Sequence, residues 1–124
     1  MSSPLIGEVM KMYRWIITVL LCMMGISMYA VTRIVDITGA GQYTSIQTAI
    51  NASNPGDSVL VYPGRYYESI TITTNDISLF SMEYLTNNQD YINSTIIDGN
   101  GDNLCLRILS NTQNVFVRGF SLTH

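Results

Sequence analysis

The chain has 124 residues, 47% of them hydrophobic and 12% charged, a length that holds one domain at most. Six Lys and Arg against nine acids give a net charge of −3, which excludes a nucleic-acid partner held by charge. Composition changes sharply near residue 30. Six of the seven Met, the only Trp and the only Lys lie in residues 1–28, whereas residues 31–124 carry four Arg, eight acids and no Lys.

Lys11 and Arg14 precede an uncharged, largely apolar run from Trp15 to Ala30. A basic start, an apolar stretch and a small final residue describe a secretory signal, so residues 1–30 are expected to be a cleaved leader. As helix, that run rises about 24 Å, short of the roughly 30 Å hydrocarbon core. Met28 is bulky for its place before the cleavage point, and an uncleaved short anchor is the alternative; a membrane is met only through this segment. Leu20 and Leu21 stand before Cys22, where a lipoprotein site wants a small residue. The remainder is expected to be secreted or held at the cell surface. Its single cysteine, Cys105, permits no intramolecular disulfide and reads as an inert buried thiol.

From residue 31 the chain reads as short strands and turns. Residues 33–37 form an entry strand, and Ile46, Ala49 and Ile50 mark one face of a short helix over residues 44–52. Thr44 or Ser45 is its N-cap, and Asn54-Pro55-Gly56 stops it. Further strands are expected at 58–62, 69–73, 77–81, 94–98, 104–108, 115–117 and 120–122, separated by turns rich in Asn, Asp and Gly. Residues 83–93 are expected to leave the scaffold as a polar loop.

Val59, Ile77, Ile96 and Val115 each open an apolar strand, at steps of 18, 19 and 19 residues. Residues 75–81 also match 113–119 in pattern. Such spacing suits a chain that coils back above itself with parallel pairing, and the expected fold class is all-β: a right-handed parallel β-helix with a short N-terminal capping helix. The apolar strand just before His124 has no cap, so the expectation is the N-terminal part of a longer solenoid, truncated at its C-terminal end. Residues 31–124 would be its first rungs.

Residues 41–70 carry Gly41, Tyr43, Ile46, Gln47, Ala49 and Ile50, then Gly56, Asp57, Val59, Val61, Pro63 and Gly64, then Tyr66, Glu68 and Ile70. This series resembles the opening of the pectin-lyase-like superfamily of parallel β-helix proteins. The resemblance extends over nearly all of residues 41–123. It implies an exported protein that binds or processes extracellular polysaccharide, with catalytic acids downstream of this opening and none within it. A pectinesterase-like hydrolase and a non-enzymatic surface adhesin or stalk are the alternatives, and whether the protein is an enzyme stays open.

Tyr66 and Tyr67, with Tyr62, Tyr84 and Tyr91, offer flat rings for the C–H faces of sugars or else pack structurally. Arg118 can neutralise a sugar carboxylate, or simply be the exposed residue between two inward ones. Asp98-Gly-Asn-Gly-Asp102 places oxygens at positions 1, 3 and 5 of a calcium loop, but Asn103 and Leu109 fail positions 6 and 12. An ordinary Asn/Gly turn is therefore expected, with calcium as the sole cofactor considered and no metal ligand assigned. Asp57 reads as a catalytic acid or as an acceptor for backbone N–H groups at the helix-to-strand turn, the latter being adopted. Glu68 reads as a sugar-facing carboxylate or as a structural partner for Arg65 or a neighbouring rung. Asn51 and Asn93 each begin a glycosylation triplet.

Overall fold

The computed structural model describes residues 4–23 and 29–124. The first element is α1 (Pro4–Met23), which runs through the basic residues and into the apolar stretch. Residues 24–28 of that expected leader lie outside the described residues, Met28 among them. Then come β1 (Thr32–Val35), α2 (Ile46–Asn51), β2 (Ser58–Val61), β3 (Gly64–Tyr67), β4 (Ile70–Ile72) and β5 (Ser78–Ser81). Two short helices follow, α3 (Met82–Thr86) and α4 (Asp90–Ser94), before β6 (Thr95–Asp98), β7 (Leu106–Ile108), β8 (Phe116–Arg118) and β9 (Ser121–Thr123).

Among the described residues all pairings between strands are parallel, in three sheets ordered β1-β2-β5-β8, β3-β6-β9 and β4-β7. Parallel neighbours cannot be joined by a hairpin, so the chain visits the other sheets before it returns. Alternate side chains turn inward. Val35, Val59, Val61, Tyr66, Ile70, Ile72, Leu79 and Ile97 meet Ile46, Ala49 and Ile50 of α2 in one core. Each such aliphatic side chain stabilises the fold by about 1.5–3 kcal/mol on burial.

Helix α2 forms where its apolar spacing places it. The Ser45 hydroxyl accepts from the N–H of Thr48 at 3.2 Å, a side-chain N-cap. Gly56, at φ +94°, turns the chain into β2.

The expected all-β class is overturned. Four helices stand beside the strands among the described residues, and the parallel sheets with their intervening helices make an α/β arrangement, not a closed all-β solenoid. The expected loop at 83–93 is where the reading failed most clearly. Ser81 caps α3 by accepting from the N–H of Glu83 at 3.2 Å, and Asn87 ends it in the left-handed conformation at φ 57°. Ser81, read as the end of a strand, and Asn87, read as loop, are here the two caps of a helix.

The regular step also fails. Ser58 pairs with Ser78, but Ser78 pairs with Phe116, because α3, α4 and two further strands intervene. Thr95 pairs with Gly64, so Ile96 lies in a different sheet from the strands after Ile77 and Val115. Strand β3 was not expected, since Pro63-Gly64 reads as a turn and only Tyr66 of its residues is buried. The likeness of 75–81 to 113–119 has a direct counterpart in the register. Gln113 N–H donates to Asn75 Oδ1 at 2.9 Å, Asn114 Nδ2 donates to Asp76 Oδ1 at 2.7 Å, and β5 pairs with β8 at the same offset.

Candidate functional site

The four arginines of residues 31–124 divide by what they face. Arg33 meets Asp57 at 2.7 Å, Arg65 meets Asp98 at 2.6 Å, and Arg118 meets Glu83 at 2.8 Å. The three carboxylates are all buried, so each needs a cation to offset lost hydration. Arg107 is the exception. It is exposed on β7, and among the described residues no carboxylate pairs with it.

Arg107 lines an open groove of about 380 Å³ together with Ser69, Thr71, Asp102, Asn103 and Leu104. Strands β4 and β7 form its floor, with Thr71 in register with Arg107. The backbone of Thr71 is fixed from behind: its N–H donates to Gln47 Oε1 at 2.7 Å, and Gln47 Nε2 donates to its carbonyl at 3.1 Å. The wall is the turn after β6. Asn100 and Gly101 take φ values of 54° and 88°, and the Asp102 N–H donates to the Gly99 carbonyl at 3.0 Å. The Ser69 hydroxyl donates to Asp102 Oδ2 at 2.8 Å, tying wall to floor.

That turn is the segment weighed as a calcium loop. Its two carboxylates diverge: Asp98 accepts from Arg65 Nε at 2.8 Å and from the Asn100 N–H at 2.9 Å, while Asp102 is turned to Ser69. The Asn100 N–H and then Arg65 hold the Asp98 carboxyl below its ordinary value. Among the described residues, no three His, Cys, Asp or Glu side chains gather where they can hold a metal ion.

Tyr67 ends β3 beside this turn, in register with Asp98 and two residues before Ser69. Its ring is 64% exposed, and the Arg65 guanidinium lies 5.6 Å from the ring centroid. Tyr66 points the other way and is 1% exposed. Its hydroxyl donates to the Tyr62 carbonyl at 2.9 Å and accepts from the Ile37 N–H at 3.3 Å. Burial pushes that phenol up to about 12. No face of Tyr66 is open to a sugar.

Arg118 lies elsewhere. Its Nε and Nη2 donate to the two oxygens of Glu83 at 2.9 and 2.8 Å, and its guanidinium stands 5.4 Å from the Tyr84 ring centroid. It is committed to Glu83. The three residues singled out in the sequence are thus separated by the fold, and none of them lines the groove. Cys105 is half-buried, its thiol donating to the Thr123 carbonyl at 2.7 Å. Asn51 and Asn93 are both exposed.

Sequence reasoning missed Arg107 and Ser69, and reads Asp102 only as a candidate calcium ligand. Nothing in Leu104-Cys-Leu-Arg-Ile108 distinguishes its arginine from Arg118; the difference is which carboxylate the fold delivers. No protein-family model matches the chain, and neither a curated protein nor a solved structure does.

Proposed function

We propose that residues 31–124 are exported and bind an extracellular acidic polysaccharide along the β4–β7 groove. The observation that carries this reading is Arg107. In a segment with twice as many acids as arginines, one guanidinium is left uncompensated, and it stands on a polar groove. Arginine presents a planar fork of donors that matches a carboxylate. Ser69, Thr71, Asp102 and Asn103 supply the hydroxyl, amide and carboxylate groups that sugar hydroxyls use. Tyr67, two residues before Ser69 in the chain, provides an exposed ring for a sugar's C–H face. The leader-like composition of residues 1–30 supports the export part of this reading. No residue is assigned a catalytic role.

Electrophoresis through gels containing polymer tests it. Migration is retarded by a polyuronate and not by a neutral glucan, and Tyr67→Ala reduces the retardation. Equal mobility in all gels would refute the proposal.

A further inference from the structure

Helix α1 is exposed at every described side chain, residues 5–22. At 3.6 residues per turn its polar groups fall on one side. Glu8, Lys11, Arg14, Thr18 and Cys22, with Trp15, occupy an arc of about 120°. The remaining arc is apolar, centred on Val9, Tyr13 and Leu20 and flanked by Met12, Ile16 and Ile17. The three charges lie in residues 8–14, and Thr18 continues the polar side by one turn.

We propose that α1 docks in the plane of an anionic lipid surface, with its apolar arc in the acyl boundary and its polar stripe in water. A helix with a charged side and a wide apolar face is suited to an interface. A span made of α1 itself would carry Glu8, Lys11 and Arg14 into hydrocarbon. No helix among the described residues is long and apolar enough to cross a membrane.

Charge selects the surface. Residues 1–30 hold two cations and one acid, while residues 31–124 hold four cations and eight acids. An anionic bilayer therefore attracts α1 and repels the rest of the chain, which orients the contact. Lys11 shares its charge with Glu8 at 3.3 Å, whereas the Arg14 guanidinium has no carboxylate partner among the described residues. Trp15 lies inside the polar arc, about 20° from its Glu8 edge, a position from which an indole reaches headgroup level. This inference concerns the chain that keeps residues 1–30, the uncleaved alternative, and uses none of the groove residues.

Trp15 is the only tryptophan in the chain, so its emission reports the contact directly. The full chain is mixed with phosphatidylcholine vesicles containing about one quarter phosphatidylglycerol, an anionic surface. The expected result is a blue shift with co-sedimentation. Lipids brominated near the headgroup should quench more than lipids brominated at the chain end. Arg14→Gln should weaken binding about fivefold, and Leu20→Asp, on the apolar arc, should weaken it further. No shift with anionic vesicles would overturn the proposal, as would an equal shift with phosphatidylcholine alone. Stronger quenching from the chain end would mean a span. A shift that grows with protein concentration without vesicles would mean that a second copy covers the face.

Discussion

Glu68 and Ile46 are joined by a 2.8 Å hydrogen bond in which the helix N–H donates to the carboxylate, and this contact ties the first turn of α2 to the corner between β3 and β4. The same carboxylate accepts from the Gln47 N–H at 3.0 Å and from the Ser45 hydroxyl at 2.9 Å. Ser45 in turn accepts from Thr48, so one acid completes the N-cap of a helix more than twenty residues earlier in the chain. Hydrogen bonds to a charged acceptor are worth about 1.5–3 kcal/mol each, and water replaces part of that when the acid is removed. Glu68→Ala should lower unfolding stability by about 2 kcal/mol, with Glu68→Gln less damaging. The midpoint of urea unfolding measures both.

Asp57 makes stability depend on acid. Burial acts to raise its pKa, but the N–H groups of Asn54 and Val31 and the Arg33 guanidinium outweigh burial and hold it below the ordinary value. A carboxyl with a lowered folded pKa contributes stability that is present above the unfolded pKa, about 3.9, and is lost as pH falls through the folded one. The melting temperature should therefore hold from neutral pH to about pH 5 and fall below about pH 4. Asp57→Asn should melt lower at neutral pH and show a smaller acid drop. Asp98 is shifted in the same direction, so some acid dependence persists.

What the sequence makes legible is local. The apolar spacing of Ile46, Ala49 and Ile50, the alternation of Ile70 and Ile72, and the match of 75–81 to 113–119 all correspond to observed elements or register. Backbone N–H groups do bond to Asp57, donated by Val31 and Asn54 at 2.9 and 2.8 Å. What stays hidden depends on partners from distant passes. Glu83 lies in a polar stretch with no apolar period, and its burial becomes tolerable only when Arg118 arrives from β8. Arg65, weighed as a partner for Glu68, goes to Asp98, and Glu68 goes to α2. The groove is hidden for the same reason: Ser69 and Asp102 meet only because β3 and β4 lie beside β6 and β7.

Thr95 is fully buried, and its hydroxyl finds no hydrogen-bond partner. A buried hydroxyl left unpaired costs free energy that an apolar group of the same shape does not. Thr95→Val should stabilise the protein by about 1 kcal/mol, seen as a higher melting temperature. A lower one would mean that the hydroxyl is paired.

Gly119 is held by two constraints at once. Its φ is +91°, and a Cβ there would collide with Ser81 Oγ and lie 3.3 Å from Glu83 Cβ. Gly119→Ala should destabilise the protein by about 2 kcal/mol, and it should displace Ser81 from the cap of α3. Loss of amide protection at Glu83 under hydrogen exchange checks the second effect.

The most direct test of the proposed function is isothermal titration of a polyuronate into the protein and into its Arg107→Gln variant. The account predicts saturable binding by the protein, weakened about tenfold or more once the one unpaired arginine of residues 31–124 is neutralised. Absence of saturable heat, or the same affinity in Arg107→Gln, would contradict it.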